Sequence, residues 1–153
     1  MRATDPDAGI RANMIADEAG IAQIVRESRR VAVLGIKTEA QREQAAFYVP
    51  RYLADAGVEV IPVPVYYPEA TEILGRKVYR KLADIPGEVD LVDVFRRPKD
   101  IDAHLDDILA KRPRAVWFQS GIVNDQAARR LAAAGIKVVQ DRCLMVEHRR
   151  HAR

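Results

Sequence analysis

With 153 residues, the chain has room for one domain around one sizeable core and none for a separate catalytic domain. Apolar residues are 48% of it and charged residues 31%, which excludes a disordered chain, and its longest apolar runs fall far short of the roughly 18 residues of a membrane span. The charge, 25 basic against 22 acidic groups, is too evenly balanced for a nucleic-acid binder but compatible with a small polyanionic ligand.

Residues 1–13 are polar or small without a period and are expected to form a loose arm. Asp17 to Arg29 carries Ile21, Ile24, Val25 and Ser28 at helical spacing and ends in basic residues, as a helix C-terminus favours. Val31 to Gly35 is a short apolar run closed by glycine, the pattern of a buried strand in a parallel sheet. A helix is predicted from Gln44 to Ala56, stopped by Gly57 and blemished by Pro50. Val58–Val63 is the second strand, with Pro62 and Pro64 removing ladder bonds at its end.

Tyr66 to Ile85 reads as irregular, with a helical turn near Lys81–Asp84. Val89–Phe95 is a third strand. Asp100–Lys111 is a helix with Ile101, Leu105, Ile108 and Leu109 on one face, and Ala115–Gln119 is a fourth strand. Asn124 suits the N-cap of a helix over Asp125–Ala134, and Gly135 its C′ position. Ile136–Gln140 is the fifth strand and Leu144–Arg149 a terminal helical turn. Residues 149–153 read as a basic tail, which leaves 14–148 as the folded domain.

Five β-branched strands, each followed by a helix or helical turn, predict a Rossmann-like doubly wound α/β sheet of about five parallel strands with helices on both faces. Ligands of such sheets bind outside the carboxyl ends of the strands, near the switch in strand order. The residues just past Gly35, Val63, Phe95, Gln119 and Gln140 are therefore the candidates.

The first of these loops, Gly35-Ile36-Lys37-Thr38-Glu39-Ala40-Gln41-Arg42, has one glycine and lacks G-x-G-x-x-G, so the dinucleotide fingerprint is missing. Lys37 and Arg42 either meet a pyrophosphate beside a helix N-terminus or are solvated surface cations. The proline-stiffened stretch Ile61–Pro68, with Val63, Pro64 and Tyr66, either holds a flat base or simply ends the strand. Phe95-Arg96-Arg97-Pro98 has the composition of a phosphate clamp, against which stands pairing with Asp90, Asp93 or Asp100.

Gln119-Ser120-Gly121 places polar groups beside a helix N-terminus. Its surroundings are not the G-x-S-x-G elbow, so Ser120 suits hydrogen bonding better than nucleophilic attack. Cys143, the single cysteine, excludes an internal disulfide and a multi-cysteine zinc site, and fits a small buried residue better than a redox thiol. Three histidines, His104, His148 and His151, form no ligand-spaced motif, so no metal is expected. The N-terminus MRATDPDAGI has neither an apolar leader nor a transit pattern, which points to the cytoplasm. From the residues alone the reading stops at a phosphate- or nucleotide-binding domain without a visible catalytic set.

VAVLG at 31–35, VEVIPVPVYYPE at 58–69, VDLVDVFRRP at 89–98, AVWFQSGIVN at 115–124 and AGIKVVQDRCLMVEH at 134–148 resemble, in that order, the small stand-alone CoA-binding domain proteins. Those in turn are similar to the nucleotide-binding domain of the succinyl-CoA synthetase α subunit. The resemblance covers residues 17–148 and implies binding of coenzyme A or an acyl-CoA. It would set Gly35, Ile36 and Lys37 against the pyrophosphate and Val63, Pro64 and Tyr66 along the adenosine end. It would close Phe95, Arg96 and Arg97 over the nucleotide and bring Gln119, Ser120 and Gly121 to the pantetheine. Relatives carry G-A-S and V-N-P where this chain has Gly35-Ile36-Lys37 and Val63-Pro64-Val65. The histidine domain of the synthetases is absent, so a non-catalytic carrier, regulator or module is expected. An NAD(P)-binding oxidoreductase-like domain and a protein-interaction module, with or without self-association, are the alternatives.

Overall fold

The computed structural model describes residues 5–152. In chain order its elements are α1 (Ala8–Asn13), α2 (Glu18–Glu27), β1 (Arg30–Leu34), α3 (Ala45–Asp55) and β2 (Glu59–Val63). A two-residue hairpin follows, β3 (Glu72–Ile73) and β4 (Arg76–Lys77), then β5 (Leu91–Val94), α4 (Leu105–Lys111) and β6 (Ala115–Phe118). The chain closes with α5 (Asp125–Ala133), β7 (Lys137–Val139) and α6 (Leu144–His151). The five long strands form one sheet in the order β2-β1-β5-β6-β7 with all pairings parallel. This is the doubly wound arrangement expected from the sequence, and its order reverses between β1 and β5.

Every residue of β5 and β6 is buried, because helices cover both faces. Alternate strand residues divide the core in two. Ala32, Leu34, Val92, Val94, Val116 and Phe118 pack with Leu105 and Ile108 of α4 and Ala127 and Leu131 of α5. On the other face Val31, Val33, Leu91 and Trp117 meet Ile21 and Ile24 of α2, Phe47 and Leu53 of α3, and Leu144 of α6. Asp17 caps α2, its carboxylate accepting from the Gly20 N–H at 3.1 Å.

Several segments depart from the sequence expectations. The predicted arm instead contains α1, which lies on α5. The Asn13 amide donates to the Ala132 carbonyl at 3.0 Å, and the Ile15 N–H donates to the Val138 carbonyl at 2.8 Å, which covers the β7 edge. Residues 1–4 and 153 lie outside the described residues. Most of the basic tail is helical, since α6 runs on to His151. The irregular stretch holds the β3–β4 hairpin, turned by Leu74 and Gly75 at φ 56° and 69°. Its flank covers the other sheet edge through the Tyr79 N–H to Pro62 carbonyl bond of 3.0 Å. Finally, two 3-10 turns, Pro98–Asp100 and Asp102–His104, take up the start of the predicted helix, so that α4 begins only at Leu105.

Candidate functional site

In doubly wound sheets the crevice lies where the strand order reverses, which here is between β1 and β5. The ladders continue one residue beyond the strands: the Gly35 N–H donates to the Val63 carbonyl and the Phe95 N–H to the Leu34 carbonyl, both at 2.9 Å. Gly35 has φ +89°, and a Cβ there would overlap the Phe95 carbonyl oxygen, so the β1 and β5 ends approach closely only because this residue has no side chain. Beyond it Ile36 turns into the core at 1% exposure, while the Lys37 side chain reaches Gln44.

Pro50 explains how the next loop is held. It has no N–H to give to the carbonyl four residues back, which belongs to Ala46. That carbonyl accepts from the Lys37 N–H at 3.0 Å instead, so α3 anchors the loop. Thr38 then starts a short turn through a capping box with Gln41.

Across the crevice, Val63 and Pro64 are buried and Tyr66 is exposed. The Arg96 guanidinium lies 5.6 Å from the centre of the Tyr66 ring, with Nη1 donating to the Tyr66 hydroxyl at 3.5 Å. That hydrogen bond and the positive charge behind it pull the Tyr66 phenol below its usual pKa. Arg96 Nε donates to His104 Nε2 at 3.2 Å. Arg97 projects outward and donates to Asp100 at 2.8 Å; this bond, with the surrounding cations, holds the Asp100 carboxyl below the usual range.

The fourth strand end is shaped differently. Gln119 is buried, and its side-chain oxygen accepts from the Leu144 N–H at 3.0 Å, so it caps α6 from below. Ser120 lines a cavity of about 660 Å³ with Gln140, Cys143 and Glu147. The Gly121 N–H donates to the Asp141 carboxylate at 2.7 Å, and the Asn124 N–H donates to the Gln140 side chain at 2.8 Å. Asn124 also caps α5, accepting from the Ala127 N–H at 3.0 Å.

Of the sequence candidates, Gly35, Tyr66, Phe95 and Arg96 thus meet at the switch point, with Arg97 attached through Asp100. Ile36, Val63, Pro64 and Gln119 form its inner support, and Ser120 and Gly121 stand at the neighbouring loop. His104 was not among the candidates. Its place on a helical segment gave no signal, because its bond to Arg96 spans a turn between two elements. Asp93, named above as a possible partner of the two arginines, pairs with neither: it is fully buried in β5, and among the described residues neither carboxyl oxygen has a hydrogen-bond partner.

One group among the described residues has metal-ligand types: Glu18, Glu147 and His151, with ligand atoms within 4.8 Å of one another. Arg142 lies 3.3 Å from Glu18 and 3.5 Å from Glu147, and Arg150 lies 3.5 Å from Glu147. The carboxylates are thereby already neutralised by cations in a network joining α2 to α6.

The chain is thus a doubly wound α/β domain with an arginine–tyrosine pair at its switch point. The sequence pattern of one such family, described as CoA binding domain, matches residues 29–149, and the chain belongs to that family. It is 34% identical over 131 residues to an uncharacterized protein, YneT, of Bacillus subtilis, covering 86% of this chain and 93% of that one. It superposes on the structure of the cell-free ID.343 protein of Thermus thermophilus with a TM-score of 0.80 and 39% identity, over 88% of this chain and 98% of that one. The fold, at 21% identity and a TM-score of 0.64, recurs in the dinucleotide forming acetyl-coenzyme A synthetase 1 of Ca. Korarchaeum cryptofilum, over 76% of this chain and 26% of that one. Among the described residues no helix is long and apolar enough to cross a membrane.

Proposed function

We propose that residues 14–148 bind coenzyme A or an acyl-CoA across the carboxyl ends of the strands. The protein then acts as a cytoplasmic carrier or regulator, or as a module of a larger acyl-CoA system, without catalysis of its own. The observation that carries this reading is the convergence of Arg96 and Tyr66 on the Gly35–Phe95 contact, in a chain of the CoA-binding domain family. There a guanidinium and the backbone of a fixed loop serve the phosphates, and an aromatic face serves the adenine. In this reading Gly35 and Lys37 face the pyrophosphate and Arg97 adds charge at the rim. Ile36, Val63, Pro64, Phe95 and Gln119 hold the walls in place, and Ser120 and Gly121 border the path of the pantetheine.

The test is a thermal-shift series with CoA, acetyl-CoA, dephospho-CoA, NAD and NADP. A ligand at a hundred times its Kd adds about 2.7 kcal/mol, a rise of several degrees for a domain of this size. A rise with CoA and none with NAD is expected. In a titration, replacing both Arg96 and Arg97 with alanine should weaken CoA at least about tenfold, since charge-assisted bonds are lost. No rise with any CoA species, or unchanged affinity in the double variant, would reject the reading.

A further inference from the structure

We propose that His104, as a neutral imidazole, is a positioning residue of this crevice: its Nε2 accepts from Arg96 and sets the guanidinium for a phosphate. The inference rests on the coenzyme reading above.

A guanidinium stays protonated at any ordinary pH and has no acceptor, so Arg96 Nε must be the donor in its 3.2 Å contact with His104. His104 Nε2 therefore presents a lone pair, and the ring proton sits on Nδ1. Three contacts hold the guanidinium: Nε on His104, its central carbon 5.6 Å from the centre of the Tyr66 ring, and Nη1 at the Tyr66 hydroxyl. Nη2 forms an ion pair with Asp100 at 3.9 Å, beyond hydrogen-bond reach, and makes no hydrogen bond among the described residues, which leaves its donors for a ligand oxygen in this proposal. A guanidinium held on one edge and one face loses less freedom when it takes a phosphate.

The charges around the imidazole are consistent with a neutral ring. Burial and then Arg96 push its pKa below the ordinary value, against a smaller upward pull from Asp107 and Asp100. Arg80, Lys81, Asp106 and Asp107 line the same cavity as His104. Arg80 is taken up by the carbonyls of Tyr66, Tyr67 and Ala70, Asp107 by the N–H groups of Leu82 and Ala83, and Asp106 pairs with Arg130. When His104 takes a second proton, an N–H faces the Arg96 N–H, the bond is lost and two cations meet.

Calorimetric titration of the full chain with dephospho-CoA tests this, because the 3′-phosphate, which itself titrates near neutrality, is absent from that probe. At pH 8, His104→Ala should weaken binding by about tenfold, and His104→Gln, which offers a carbonyl oxygen near the Nε2 position, should restore most of it. As pH falls from 8 through the imidazole's lowered titration range, the native chain should lose affinity more steeply than His104→Gln. Binding by the native chain with an unaffected His104→Ala, a shared pH profile, or tighter binding in acid would overturn the role of His104 alone. No binding of any CoA species by the native chain would overturn the coenzyme reading and this inference together. Nitrogen NMR of the ligand-free protein gives an answer independent of ligand and of the alanine variant's folding. Nε2 should carry no proton at pH 8, and an Nε2–H tautomer would refute the proposal.

Discussion

Replacing Asp93 with valine should make the protein more stable. The carboxyl lies at 0% exposure in β5, in register between Val33 and Trp117, and neither of its oxygens has a hydrogen-bond partner among the described residues. A buried polar group without a partner costs about 1–3 kcal/mol, and valine is a good strand former that returns the site to an apolar face. The gain should therefore be about 1–3 kcal/mol, and in a chain of this length each kcal/mol moves Tm by about 2–4 °C. Burial pushes the Asp93 pKa well above the ordinary carboxylate value. The sign of the pH effect follows: above pH ~4 the unfolded chain has released this proton while the native state still holds it. The penalty is thus smallest below the unfolded pKa and grows as pH rises towards the folded one. Urea unfolding of the native chain, Asp93→Val and Asp93→Asn at pH 4, 6 and 8 should show a valine gain that widens with pH. Asparagine, still polar, should recover less. A valine variant less stable than the native chain at pH 8, or a gain that does not change with pH, would refute the reasoning.

Gly35→Ala should cost about 2–5 kcal/mol, since a left-handed backbone and an overlap with the Phe95 carbonyl oxygen both oppose it. It should also remove the thermal shift with CoA, and a urea midpoint equal to the native one would contradict the close β1–β5 approach. His148 is half-buried with its Nδ1 3.0 Å from the Tyr52 hydroxyl, and burial lowers its pKa. Its contribution is present above the unfolded value near pH 6.5 and is lost as pH falls through the folded one. His148→Asn should accordingly lose less stability than the native chain between pH 8 and pH 5, and parallel unfolding curves would count against it.

The sheet was legible because each strand is an apolar run bounded by punctuation, such as Gly35 after Val31–Leu34 and Asn124 before α5. Strand ends located the crevice for the same reason, since their carboxyl termini follow from order alone. What the sequence concealed were relations between elements. Gln119 reads as a polar strand-end residue like Ser120, yet it faces inward to cap α6, and only the packed helix shows that. Asp93 reads as a partner for Arg96 or Arg97, yet it lies inside β5 without either, and only the packed sheet shows that. Within the expected arm at 1–13, the six residues of α1 are too few to reveal a helix by period, and α1 is held by tertiary contacts with α5 and the β7 edge rather than by propensity.

The Pro50–Ala46–Lys37 arrangement makes the crevice loop part of the scaffold before any ligand arrives. A loop already fastened has little disorder left to surrender if a ligand binds against it. It also inverts an engineering habit. Exchanging a helix-interior proline for alanine ordinarily improves a helix, but at position 50 the new N–H would compete with Lys37 for one carbonyl. Such a variant would trade helix regularity against loop anchorage, and its signature would be slower amide exchange in α3 with faster exchange at Lys37.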